Sequence, residues 1–132
     1  MPLLFSSIDK TSLSTSSSSY VDILGLSLDV SKYSSSPGTA ALITLNIPAT
    51  YSSGNNFPSG AFIITTNKGQ QLAFGSFSYC DKKPESTGRV PFTLVARCLL
   101  SDDTATIKAQ WRGDRGSTVY IDSYACISAV IE

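Results

Sequence analysis

Thr104-Ala105-Thr106-Ile107-Lys108-Ala109-Gln110-Trp111 decides the fold class of this 132-residue chain. Side chains alternate with a period of two along an extended strand, so Ala105, Ile107, Ala109 and Trp111 share one face and Thr104, Thr106, Lys108 and Gln110 the other. A helix would scatter both sets. The same period recurs where Leu26, Leu28 and Val30 alternate with Ser27 and Asp29, and where Ile43, Leu45 and Ile47 alternate with Thr44 and Asn46. Residues 61–66, 72–79, 90–100, 117–122 and 125–131 supply further strands. They are separated by Asn67-Lys68-Gly69, Ser101-Asp102-Asp103 and Gly113-Asp114-Arg115-Gly116. About eight short strands with no helical pattern predict an all-β sandwich or jelly roll.

Ser12, Ser14 and the run Ser16 to Ser19 read as a low-complexity connector, and Ser34-Ser35-Ser36-Pro37-Gly38 as a second polar loop. Several strands are apolar on both faces: Leu72, Phe74, Phe77 and Tyr79 in one, and Cys126 and Val130 beside Ile127 and Ile131 in another. A sandwich needs one apolar face per sheet, so the surplus predicts an outer face covered by another subunit.

Residues 1–132 are long enough for one domain with one core, and 42% hydrophobic with 15% charged residues is globular rather than disordered. Zero formal net charge gives no general attraction to nucleic acid or to anionic membrane, and core packing explains Trp111 better than base stacking does. No run approaches the ~18 apolar residues of a membrane helix, which argues against insertion. Met1-Pro2-Leu3-Leu4-Phe5 lacks the basic start and length of a classical signal peptide, so the chain reads as soluble and any export needs another route.

With no histidine, the commonest general base and transition-metal ligand is missing, which excludes Ser-His-Asp, Cys-His and His-zinc chemistry. Cys80, Cys98 and Cys126 are an odd, widely spaced set and read as reduced, mostly core thiols. Asp102-Asp103 lacks the oxygen count of a calcium site and reads as a strand turn, so no metal or cofactor is expected. Glu85 and Asp122 are the carboxylates available to a glycosidase, but nothing in the sequence pairs them. Arg112-Gly113-Asp114 spells an adhesion tripeptide in a segment expected to be an exposed turn, with Gly and Asp serving the turn's backbone needs.

Pro84-Glu85-Ser86-Thr87-Gly88-Arg89 follows the aromatic strand that ends at Tyr79. Two hydroxyls and a guanidinium with five donors in a fixed fork suit the paired hydroxyls of a sugar. The stretch is equipped to hold a polyol rather than to cleave it.

Several ordered blocks resemble the N-terminal domain of the Burkholderia two-domain superlectin. They are Met1-Pro2-Leu3-Leu4, Tyr20-Val21-Asp22-Ile23, Leu28-Asp29-Val30, Gly54-Asn55-Asn56-Phe57-Pro58, Pro84 to Arg89 with Pro91-Phe92-Thr93-Leu94-Val95-Ala96, Gln110-Trp111 and Ile121-Asp122-Ser123-Tyr124-Ala125. The resemblance implies a jelly roll like that of tumour necrosis factor, assembled as a homotrimer without enzymatic activity. It also implies calcium-independent sites for L-fucose and fucosylated oligosaccharides between neighbouring subunits. Carried over by position, Tyr51, Ser86, Thr87 and Arg89 come from one subunit and Ser78, Tyr79 and Arg115 from the next. Ala61 stands where the family has an aromatic, an altered pocket position that opens either weaker binding or a different glycan branch; Ser78 keeps the hydroxyl of the family's residue. Nothing corresponds to the superlectin's second, calcium-dependent domain. The alternative is a trimeric jelly roll that serves as a structural or protein-receptor module and has lost the sugar pocket.

Overall fold

Ile107, Ala109 and Trp111 all turn inward in the computed structural model, which describes residues 1–9, 12–54, 56–122 and 124–132. The alternation begins two residues later than the sequence period predicts: Ala105 is exposed and Thr104 buried, because residues 101–104 form a turn in which the Thr104 N–H donates to Ser101 O at 2.8 Å. The chain runs through β1 (Leu3–Ser7), β2 (Leu13–Thr15), β3 (Val21–Asp29), a 3-10 turn at Ser31–Tyr33, β4 (Ala40–Ser53), β5 (Ser59–Thr66), β6 (Gln71–Ser78), β7 (Val90–Leu99), β8 (Thr106–Asp114), β9 (Thr118–Ile121) and β10 (Cys126–Ile131). Among the described residues, no helix is long and apolar enough to cross a membrane.

The strands form two antiparallel sheets, one ordered β1-β10-β4-β9-β2 with β7 also on β4, the other β3-β8-β5-β6. β4 organises the first sheet. Its residues Ala41 to Asn46 pair with β10, and Thr50 to Ser53 pair with β9. Pro48 lies at the changeover, where the register with β7 also shifts between Ile47 and Thr50. Proline has no N–H to give a ladder, so the strand changes partner where that bond is missing.

Between the sheets, Leu26, Ile43, Leu45, Ile47, Phe62, Ile64, Ile107 and Ile127 are fully enclosed. Burying each such side chain contributes about 1.5–3 kcal/mol. Phe62 stands at the centre of an aromatic cluster, with ring centres 4.8 Å from Phe92 and 6.2 Å from Trp111. Its cross-strand partner is Gly75, where a Cβ would lie 2.7 Å from Phe92 Cζ. Only glycine admits the Phe92 ring there.

One segment read as a connector is a strand, and the apolar N-terminus forms another. Leu13–Thr15, inside the serine-rich stretch, pairs with Val119 to Ile121, and Leu3–Ser7 pairs with β10. Asn55 and Ser123 of the family blocks lie outside the described residues. The cysteines also differ from expectation: Cys98 is buried, but Cys126 is half-buried and Cys80 exposed in the loop after β6.

Part of the apolar surplus collects on one sheet, while Phe74, 52% exposed on β6, lies on the other. Leu3, Val130 and Leu42 line up across β1, β10 and β4, and Phe5, Ser128, Thr44 and Val95 form the next row, extending onto β7. Their inward neighbours, such as Ile43 and Ile131, fill the core, so these rows form the outer face of the sheet. Leu3 is 67% exposed, Phe5 63% and Val95 59%. Phe77, expected to belong to a surplus face, turns inward against Phe62 at 6.3 Å.

Candidate functional site

The end of the sandwich where β4, β6 and β8 terminate and β9 begins carries every residue of the expected site except Ala61. One cluster is built on Arg89, two residues beyond Thr87 in the loop that joins β6 to β7. Its Nε donates to Asp122 Oδ2 at 2.6 Å and its Nη1 to Thr87 O at 3.3 Å. Its guanidinium carbon lies 3.7 Å from the centre of the Tyr51 ring. Tyr51 in turn stacks on Tyr120 with centres 4.5 Å apart and planes 7° from parallel, as the cross-strand register of β4 and β9 requires. The bond to Asp122 raises the Arg89 pKa further, keeping the guanidinium charged.

Tyr79 closes this cluster. Its hydroxyl donates to Gly88 O at 2.6 Å, and its ring meets Phe77 edge-on at 6.1 Å. Partial burial holds its phenol above the ordinary tyrosine pKa. Ser86 is exposed and Thr87 half-buried on the same loop.

The second cluster is built on Arg115. Asp114-Arg115-Gly116-Ser117 is a two-residue hairpin turn in which Arg115 and Gly116 have φ of 54° and 70° and the Ser117 N–H donates to Asp114 O at 3.0 Å. Two consecutive positive φ angles define a turn whose twist matches the flanking strands, but a non-glycine residue there costs roughly 1–2 kcal/mol. From it Arg115 Nη1 reaches Phe57 O at 3.3 Å, Ser59 Oγ at 3.2 Å and Ser78 Oγ at 3.4 Å. Phe57 also has positive φ, at 50°.

Ser78 and Tyr79 join the clusters, since successive side chains leave a strand on opposite sides. Ser78 faces Arg115, while Tyr79 faces Arg89 and Tyr51. The resemblance drew Tyr79 and Arg89 from different subunits; within one chain they already share the Gly88 loop.

Ala61 is fully buried on β5, opposite Ser76 and Arg112. It shares the outer sheet face of Ser59, two residues along the strand, and so adjoins the Arg115 cluster rather than the Arg89 cluster.

Three further expectations are decided by this geometry. Arg112-Gly113-Asp114 is not an exposed turn but the end of β8: Gly113 is buried, and Arg112 Nε donates to Asp114 Oδ1 at 2.9 Å. A Cβ on Gly113 would lie 2.1 Å from Ser117 O, so the glycine serves hairpin closure. Asp102-Asp103 is a strand turn, and Asp103 pairs with Lys68. Asp122, one of the two carboxylates that nothing in the sequence pairs, forms an ion pair with Arg89. Asp122, Tyr120, Phe57 and Ser59 are the site residues that sequence reading missed. The signal available for Tyr120 and Asp122 was their shared face at the end of β9, but nothing in the sequence pairs position 120 with 51.

These clusters sit on a fold of the tumour-necrosis-factor class. The Eiger TNF of S. frugiperda superposes with a TM-score of 0.53 at 12% identity, covering 98% of this chain and 92% of that one. The infectious bursal disease virus VP2 subviral particle gives a TM-score of 0.45 at 11% identity; 98% of this chain matches, but it spans only 32% of the viral chain. No curated protein matches the chain. The profile of the Bc2l-C N-terminal domain matches residues 10–130, and the chain belongs to that family, a group of lectin-related TNF-like binding domains rather than enzymes.

Proposed function

We propose that the chain is a calcium-independent lectin for L-fucose and fucosylated oligosaccharides, binding them where subunits of a homotrimer meet. The observation that carries this reading is Arg89: a charged guanidinium laid on Tyr51 and held by Asp122 and the Thr87 carbonyl, in a loop that also carries Ser86 and Thr87 and accepts the Tyr79 hydroxyl at Gly88 O. Such a group grips two adjacent ring hydroxyls, while aromatic rings pack the apolar face and methyl of a 6-deoxy sugar. Guanidinium, hydroxyls and rings hold a sugar without a bridging metal. Arg115 with Ser78 supplies a second donor set, brought to Arg89 of a neighbouring subunit in the trimer.

Trimer formation is supported by the apolar rows of Leu3, Leu42 and Val130 and of Phe5 and Val95, which a second copy would cover. Three sites on one assembly raise the effective affinity for clustered glycans. The same rows also support the alternative, a trimeric structural or receptor-binding module, which Ala61 in place of an aromatic favours. Calorimetric titration with methyl α-L-fucoside, with and without chelator, separates the two. Heat that survives the chelator and vanishes in Arg89→Ala is expected; no heat at millimolar sugar, with a silent fucosylated glycan array, leaves only the alternative.

A further inference from the structure

Resting on the sugar-site reading, we propose that Asp122 is a positioning and specificity-determining residue, orienting Arg89 and cancelling its charge so that the pocket prefers neutral diols to acidic sugars. An arginine used alone is a poor discriminator, because its fork fits a carboxylate or sulfate better than a pair of hydroxyls. Arg89 is not alone. Asp122 Oδ2 takes its Nε–H at 2.6 Å and Thr87 O one Nη1–H at 3.3 Å, which fixes the guanidinium in its plane. Tyr51, itself backed by Tyr120, fixes it from one face.

Two of the five N–H donors are therefore used. Among the described residues Nη2 has no partner, so the end of the fork formed by Nη1 and Nη2 is left for a ligand. A neutral diol accepts these two bonds with no further requirement. An anion meets the same bonds plus the repulsion of the Asp122 carboxylate, and the pair's charges sum to zero. Asp122 is itself held, because its N–H donates to Ala49 O at 2.9 Å in the strand where β4 changes partner. The side chains of Arg89 and Asp122 are 46% and 31% exposed, so solvent moderates the effect without abolishing it.

The test compares wild type, Asp122→Asn, Asp122→Glu and Arg89→Ala in titrations with methyl α-L-fucoside and methyl α-L-galacturonide, which carries a carboxylate in place of the fucoside methyl. Asp122→Asn is expected to weaken fucoside binding about 3- to 10-fold and to shift the preference toward the galacturonide by at least about 10-fold. Asp122→Glu restores the wild-type preference, and Arg89→Ala loses both sugars. A preference unchanged in Asp122→Asn overturns the proposal. A readout independent of sugar is the Arg89 Nε–Hε resonance in ligand-free protein, which is slow to exchange when the ion pair holds it. Loss of that protection in Asp122→Asn supports the positioning role, and its retention overturns it. A wild type that binds neither sugar removes the selectivity and the fucose reading together, while the exchange measurement still decides whether Asp122 orders Arg89.

Discussion

The Arg89 guanidinium lies 3.7 Å above the centre of the Tyr51 ring, and Tyr51 lies 4.5 Å from the ring of Tyr120. Two strands and a loop thus build one stack that ends in a charged fork. Arg89→Ala removes the fork and Tyr51→Ala its support. Hydrogen bonds to charged groups contribute about 1.5–3 kcal/mol each, so Arg89→Ala should weaken fucoside binding by tenfold or more. Because the Arg89 side chain is half exposed, the melting temperature should move little. Calorimetry and thermal unfolding of the same samples check both; a large loss of stability with unchanged affinity would make Arg89 structural.

Arg115 permits a separation of ligand role from turn strain. Both Arg115→Ala and Arg115→Gly delete the bonds to Phe57, Ser59 and Ser78, but only glycine adopts φ of 54° without cost. Arg115→Gly should be about 1 kcal/mol more stable than Arg115→Ala in urea unfolding, with sugar affinity reduced equally in the two. Equal stabilities would contradict the left-handed turn.

A charge placed in the middle of the apolar rows tests what covers them. Leu42 is 46% exposed and paired with Val130, and Leu42→Asp leaves the inward-facing Ile43 untouched. Light scattering should give three times 14.0 kDa for wild type and a lighter species for the variant, with a folded circular-dichroism spectrum in both. A wild-type mass of one chain would rule out the trimer.

Stability should decline in acid. The hydrogen bond from Gln110 to Asp22, with help from Lys108, lowers the Asp22 pKa, and Lys68 does the same for Asp103. A folded-state pKa below the unfolded value means that the stabilisation is complete above the unfolded value of about 3.9 and is lost as pH falls through the folded one. Both groups are largely exposed, so the effect of Asp22→Asn is limited to a few tenths of a kcal/mol. Urea midpoints between pH 6 and 2.5 should fall less steeply in Asp22→Asn than in wild type; parallel curves would remove Asp22 from the account.

Strand identity was legible because burial imposes a period of two. Leu26, Leu28 and Val30, and Ile43, Leu45 and Ile47, are all buried as the alternation requires. The period failed at Thr104 and Ala105, where a turn bond overrides it, and at Leu13–Thr15, where three residues are too few to display one. The apolar surplus was visible in Val130, but the rows it forms with Leu3 and Leu42 depend on which strands β10 joins.

An all-β chain without histidine chemistry, and a loop at residues 84–89 with two hydroxyls and a guanidinium, are readable from the residues alone. Alternation and side-chain chemistry are local properties, which is why both could be read. That this loop meets the Tyr51–Tyr120 stack and Asp122, and that Arg112-Gly113-Asp114 lies within β8 rather than in a turn, depends on how the strands assemble. Strand pairing joins positions far apart in the chain, as β4 does with β9, and the register that sets Tyr51 opposite Tyr120 is a property of the two strands together rather than of either segment.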